Sequence, residues 1–286
     1  MRRRHARLVT ALVLALGVAA AVALFTDAGH RALSLSPPSP RGADAAWRTA
    51  TRLASTPRAS IVETTAPTPG PDGVVRLAPT ERPPSQFPAT GVPPGWLLKE
   101  FTGQASIEVV RDGRLALRLA SDRSSFALYR DVIVDPNELP VLSWWWKVTR
   151  LPAGGDVRHR ASDDQAAQLY VIFPRWPAPL STSDVIGYVW DTTAPAGTRL
   201  VSTRAGNVRV IVLESGRSTA GTWQRETRNL VDDYVALFGR RPPRVGKIAV
   251  MIDSDDTASE AEALIGEVTF RPASPEGKEI PTSMLR

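Results

Sequence analysis

Pro140-Val-Leu-Ser-Trp-Trp-Trp-Lys-Val148, then Gly154-Gly-Asp156, then Asp163-Asp-Gln-Ala-Ala-Gln-Leu-Tyr-Val-Ile172 is the stretch on which the reading of this chain turns. Two runs rich in β-branched and aromatic residues flank a charged loop with two glycines, the pattern of paired strands. Side chains alternate faces along a strand. Trp144 and Trp146 therefore share one face with Leu142 and Val148, and Trp145 shares the other with Ser143 and Lys147. The first face predicts a core. The second is polar, so Trp145 is either a half-exposed platform for a sugar ring or covered by a loop.

Moving outward, short runs of the same kind recur between turn residues. They are Ser106–Val110, Arg114–Ala120, Ser125–Arg130, Val141–Thr149, Ala166–Phe173, Val185–Trp190, Val208–Glu214, Thr222–Leu230, Lys247–Asp253 and Glu262–Phe270. Asp112-Gly113 joins the first two as a hairpin signal. Only Asp232–Phe238, closed by Gly239, reads as a helix, with Asp232 as its N-cap. About ten strands with almost no helix predict an all-β fold, a β-sandwich of jelly-roll type. The sandwich is expected over residues 91–273, with a flexible tail over 274–286.

The N-terminal part differs. Met1 to Arg7 is basic, and Leu8 to Phe25 is an uncharged run of 18 residues, together an export signal. Small residues at Ala19, Ala21, Ala23 and Ala28 suit a signal peptidase, while 18 apolar residues also suffice to span a bilayer. Cleaved signal peptide and membrane anchor both stay open; either places the remainder outside the cytoplasm, in the periplasm or its equivalent. Residues 26–90 are rich in Pro, Ala, Ser and Thr and read as a disordered linker.

Charge and composition exclude several functions. Residues 1–90 carry 11 basic and 5 acidic side chains, and residues 91–286 carry 24 of each, so the net +6 belongs to the leader and linker. A balanced folded part lacks the basic surface of a nucleic-acid-binding domain. There is no cysteine, which removes disulfides, thiolate metal sites and thiol nucleophiles. His159 is the only histidine after residue 90, so a three-histidine zinc site is excluded there and a serine triad would depend on one loop histidine. No glycine-rich phosphate loop is present.

Several landmarks together resemble one bacterial family. They are Gly95-Trp96, the Pro140–Val148 run, Asp163-Asp164 before Tyr170-Val-Ile-Phe173, Tyr188-Val-Trp190, Glu214-Ser-Gly216, Trp223, Asp232-Asp-Tyr234, Phe238-Gly239, Pro242-Pro243 and Ile248 to Asp256. In this order, from Pro94 to Phe270, the chain resembles the domain of unknown function 3047 family, whose name implies no activity. The family is expected to carry a basic residue where this chain has Trp145, so any ligand role of that residue is lost or altered here. The closing segments, from Gly221-Thr-Trp-Gln-Arg-Glu-Thr227 to Ile265-Gly-Glu-Val-Thr-Phe270, are similar to those of galactose-binding-like jelly rolls, which include carbohydrate-binding modules. That similarity is architectural and does not fix function.

The candidate site residues follow from chemistry. Trp145 and Trp190 are aromatic platforms for a sugar. Asp163 and Asp164 are a carboxylate pair for hydrogen bonding, catalysis or a hard cation, although adjacent strand residues point apart. The bland alternative has one of them capping a turn and the other paired with Lys147 or Arg158. Asp233 and Tyr234 are binding candidates on the short helix. Asp253, Asp255 and Asp256 lie near-alternately at a strand end and suit calcium, the one cofactor the sequence suggests, but no EF-hand glycine or distal glutamate follows. The sequence favours a non-catalytic exported module that binds a glycan or another envelope component. A polysaccharide-active enzyme using Asp163 or Asp164 with Asp253 or Asp255 is the alternative, and a protein-binding scaffold is a third.

Overall fold

A computed structural model describes residues 66–175 and 183–273. The apolar segment 8–25, Trp47, most of the expected linker and the tail 274–286 lie outside the described residues. No helix among the described residues is long and apolar enough to cross a membrane.

The described chain forms fourteen strands and one α-helix. The strands are β1 (Val75–Leu77), β2 (Ala89–Thr90), β3 (Leu97–Thr102), β4 (Ser106–Arg111), β5 (Leu115–Asp122), β6 (Ser125–Val134) and β7 (Val141–Arg150). They continue with β8 (Ala167–Phe173), β9 (Asp184–Asp191), β10 (Arg199–Val201), β11 (Val208–Ser215), β12 (Gln224–Asn229), β13 (Val245–Asp253) and β14 (Glu260–Arg271). Helix α1 is Leu230–Phe238. The chain is an all-β sandwich. One sheet runs β12-β7-β14-β5-β4-β2, with β1 also on β14; the other runs β10-β11-β9-β8-β13-β6-β3. Neighbours pair antiparallel except β9 and β11, which are parallel.

All ten expected strands are present. Four more lie outside the expected set: β1, β2 and β10 are two or three residues long, too short to alternate, and β3 is a six-residue run with no fully buried face. Two of them correct the domain boundary. Val75 and Leu77 are fully buried and β1 pairs with β14, so the sandwich begins inside the stretch expected to be linker. The hairpin between β4 and β5 forms at Asp112-Gly113, with Gly113 at φ 70°, a conformation that favours glycine.

The core lies between the sheets and is built by alternation. Leu142, Trp144, Trp146 and Val148 of β7 are each at most 1% exposed. They meet Ile186, Tyr188 and Trp190 of β9 across the sandwich. The Trp144 and Trp146 rings stand edge to face at 5.4 Å, Trp144 lies 5.2 Å from Tyr188, and Trp146 lies 6.0 Å from Trp190. Such edge contacts stabilise beyond the area they bury. Trp146 Nε1 donates to Glu226 and Trp190 Nε1 to the Gly216 carbonyl, so two of these three indoles keep a partner. The Trp144 N–H has none.

The N-cap of helix α1 lies three residues before the expected Asp232. Asn229 is its cap, accepting from the Val231 and Asp232 amides, and Asp232 sits in the first turn, where its charge suits the helix dipole. Gly239 closes the helix in the left-handed region, its N–H on the Val235 carbonyl.

Candidate functional site

A second apolar cluster lies on the outer face of the β10-β11-β9-β8-β13-β6-β3 sheet. It joins Ala127, Ile172, Val185, Val189, Val208, Val210, Val212 and Ala249 to Val157, Ala194 and Ala205 from loops. The loops around residues 156–165 and 202–206 therefore cover part of this sheet, and a hollow opens where they meet it. Asp163, Gln168, Tyr170, Arg204, Met251 and Asp253 are among its lining residues.

Strand alternation puts these side chains there. On β8, Leu169, Val171 and Phe173 point into the core, so Gln168 and Tyr170 point out. On β13, Ile248, Val250 and Ile252 are core, so Met251 and Asp253 face the hollow. Met251 is the cross-strand partner of Gln168. Tyr170 lies over Gly187 of β9, where a Cβ would come within 2.7 Å of the ring. The missing side chain is what gives the ring its place. The Tyr170 hydroxyl donates to Gln168 Oε1 at 2.5 Å. Gln168 is 1% exposed and its Nε2 has no partner. Burial raises the Tyr170 hydroxyl far above its ordinary range, and the Asp163 and Asp253 charges add to this.

Asp163 and Asp164 point apart, as adjacent residues should, and do different work. Asp163 accepts from Gln165 Nε2 at 3.1 Å, Thr203 Oγ1 at 3.2 Å and Arg204 Nε at 3.2 Å. Burial still raises its pKa, because desolvation outweighs those donors. The pairing partners named from the sequence are engaged elsewhere: Lys147 with Asp112, and Arg158 with Asp156. Asp164 is fully buried and accepts from the Asp256 amide at 3.2 Å, the Thr257 amide at 2.6 Å and Thr257 Oγ1 at 2.5 Å. It organises the loop that follows β13.

That loop changes the membership of the acidic cluster. Asp253 and Asp255 come together with Asp164, each offering an oxygen within 4.8 Å of the others. Asp256 leaves the set expected from the sequence, because its carboxylate turns to Arg204. Asp253 is raised well above the usual carboxylate range, first by burial and then by Asp255 and Asp164.

The remaining sequence candidates serve the fold. Trp190 is fully buried in the core and faces no groove, which corrects its assignment to binding. Tyr234 is fully buried too; its ring packs on Phe173 and Phe238, and its hydroxyl meets Asp184. Asp233 is buried and accepts from Arg228 and from the Tyr188 hydroxyl, which ties α1 to the sandwich. Trp145 is half-buried on the opposite sheet, far from an open platform. The Arg114 guanidinium sits 3.7 Å from its ring centre and Arg225 lies 5.8 Å away. Gly266 of β14 lies against the same side chain, where a Cβ would come within 3.1 Å of Trp145 Cβ. A cation thus occupies the face on which a sugar was expected to stack.

The loop over the hollow is itself pinned by charge. Asp156 accepts from the Arg158 amide at 3.0 Å, from its guanidinium at 2.8 and 2.7 Å, and lies 3.2 Å from His159 Nδ1. Arg158 above all lowers the Asp156 pKa to about 2 from 3.8. A depressed folded pKa stabilises above the unfolded value and is lost as pH falls through the folded one. The full shift corresponds to about 2.4 kcal/mol, and solvent around the exposed Arg158 reduces this to about 1–2 kcal/mol. Asp156→Asn is expected to be less stable than the parent by that amount at pH 7. The gap should close between about pH 4 and pH 2 in urea denaturation run across pH; a gap independent of pH would refute the pairing.

A search of curated proteins returned no match. Among solved structures, the enzymatically active domain of tailspike protein 4 of bacteriophage CBA120 is 11% identical, with TM-score 0.34 over 62% of this chain and 19% of the tailspike chain. The family 11 carbohydrate-binding module of Clostridium thermocellum, in complex with a β-1,3-1,4-mixed-linked tetrasaccharide, is 10% identical, with TM-score 0.35 over 70% of this chain and 96% of the module. The endoglucanase Cel12A of Rhodothermus marinus is 13% identical, with TM-score 0.40 over 66% of this chain and 100% of the enzyme. The model of one protein family matches residues 94–269, well over half of the chain and nearly all of the sandwich, and the chain therefore belongs to that family, described as protein of unknown function (DUF3047).

Proposed function

We propose that this chain is an exported, galactose-binding-like jelly-roll module that binds a glycan or another hydroxyl-rich envelope component in the hollow between Tyr170, Gln168 and Asp163. The observation that carries the reading is Gln168 Nε2, a buried amide donor without a partner on the wall of a hollow. An unmade hydrogen bond on a buried donor costs about 1–3 kcal/mol, which a ligand oxygen recovers. A sugar hydroxyl accepts from such an amide and donates to a carboxylate such as Asp163, while Tyr170 and Met251 supply apolar surface for its C–H groups. The basic, apolar N-terminus supports export, by cleavage or with the segment kept as an anchor. The acidic loop after β13 is read with a hard cation such as calcium.

Hydrolysis is the second reading, since Asp163 and Asp253 line one hollow. Binding is preferred because Asp163 is held by three donors and is poorly free to act as a base.

Retention of the full chain on a panel of glycans and cell-wall polymers tests this. At least one polymer should be retained, Gln168→Leu should weaken retention at least tenfold while the chain stays folded, its melt lowered only by the loss of the Tyr170 hydroxyl's acceptor, and Trp145→Ala should leave retention intact. Retention of no polymer, or equal retention by Gln168→Leu, would sink the binding reading. Release of reducing ends in the same panel would replace it with hydrolysis.

A further inference from the structure

We propose that Asp164, Asp253 and Asp255 form a divalent-cation site of the calcium class at the edge of the hollow. Oxygens bound to one calcium lie about 2.3–2.6 Å from it, so any two are within about 5 Å of each other. One oxygen from each of the three aspartates meets that limit, all lying within 4.8 Å of one another.

A separate observation calls for a ligand here. Asp253 is only 9% exposed, and its Oδ1 is sealed from solvent with no hydrogen-bond partner. A carboxylate oxygen left unpaired in such surroundings is costly, and a hard cation is the ligand that three converging carboxylates prefer. Arg204, the guanidinium that lines the hollow, is committed to Asp163 and Asp256. It balances the neighbouring pair of aspartates, not this cluster.

The site is built in advance. Asp164 is held by the Asp256 and Thr257 amides and the Thr257 hydroxyl. Ser254 is fully buried and bonded to Ser121 Oγ, and its amide donates to the Ser124 carbonyl. The Asp253 amide donates to the Gln165 carbonyl, which fixes β13 beside the segment that carries Asp164. The carboxylates thus come from two segments about 90 residues apart, already locked together by backbone hydrogen bonds. Selectivity for oxygen-loving cations follows from the all-carboxylate donor set. Asp253 also lines the hollow, so a bound cation sets the charge of the hollow's wall; that consequence alone rests on the glycan reading.

The test needs no glycan. The full chain is stripped with chelator, desalted and melted with and without millimolar calcium. The melting temperature should rise by at least about 5 °C at saturation. Metal analysis after calcium loading and desalting should give one ion per chain. Asp255→Asn, at a half-exposed position, should weaken calcium at least tenfold, and Asp253→Asn should abolish the shift. No bound ion and no shift with calcium, magnesium or manganese overturns the proposal. So does a shift that both variants retain, since the ion then sits elsewhere. Should Asp253→Asn not fold, Asp255→Asn and the metal count decide. A failed glycan panel beside intact calcium binding would sink only the function proposed above.

Discussion

Trp146→Ala is expected to cost the fold about 4 kcal/mol, and Trp145→Ala, its immediate neighbour, about 1 kcal/mol or less. The contrast follows from which way each side chain points. Trp146 is fully buried, packs between Trp144 and Trp190, and donates to Glu226. Removing its indole opens a cavity in the middle of the sandwich and takes the donor away from a half-buried glutamate. Large aromatic-to-alanine changes in such sites cost about 3–5 kcal/mol because the surroundings collapse only in part. Trp145 lies on the outer face, where its loss removes mainly the stacked Arg114 and Arg225 guanidinium groups. An exposed cation–π contact contributes about 0.5–1 kcal/mol. In a domain of this size, the first variant should melt roughly 10 °C lower and the second within a few degrees of the parent. Urea denaturation monitored by circular dichroism gives the comparison directly. Equal costs at the two positions would mean that β7 does not alternate between core and surface as described. Trp144→Phe is the useful control, since the Trp144 N–H has no partner to lose.

The same strand marks what a sequence can and cannot reveal. The buried face of β7 was legible because Leu142, Trp144, Trp146 and Val148 repeat at the period of a strand, and period depends only on local backbone geometry. Trp190 has the same period and the same burial, yet an isolated tryptophan in a motif reads as a site as readily as a core residue. Its ring neighbour across the sandwich, Trp146, is more than forty residues away. Trp145 was rightly placed on the outer face, but the cation covering it comes from Arg114 in the turn between β4 and β5, and no spacing announces that contact. Asp253 and Asp255 stood out as an acidic run, whereas their third partner, Asp164, was separated from them by the whole course of β8 to β13. Gln168 and Tyr170 carried a usable signal. They are the polar and amphipathic positions between Leu169, Val171 and Phe173, and β8 would present them to one side together. Nothing local could show that loops reach over that side, or that Arg204 comes back to Asp163. Long-range pairing is set by sheet order, and sheet order is not written in any one strand.

Arg228→Met should destabilise the sandwich by about 3–5 kcal/mol, and the role of Asp233 follows from how that loss is repaired. Arg228 on β12 and Asp233 on α1 form a two-point pair, Nε to Oδ2 at 2.8 Å and Nη2 to Oδ1 at 2.5 Å, and Tyr188 of the core adds its hydroxyl at 2.8 Å. Asp233 is 4% exposed, so methionine in place of Arg228 leaves a buried carboxylate facing a single neutral donor. That unpaired charge, more than the lost contact, accounts for the size of the effect. A compensating change should therefore recover much of it. Arg228→Met combined with Asp233→Leu removes both charges and fills the space with apolar groups, leaving only the Tyr188 hydroxyl without its acceptor, at about 1–3 kcal/mol. The double variant is expected to be clearly more stable than Arg228→Met alone, with strong coupling between the two sites in a double-mutant cycle. Glycan retention by the double variant, measured well below its melting temperature, should match the parent, because α1 and Asp233 do not line the hollow. A double variant no more stable than the single one would mean that the buried pair is not what fixes α1 to the sheet. Loss of retention with the fold intact would return Asp233 to the ligand site that the sequence first suggested for it.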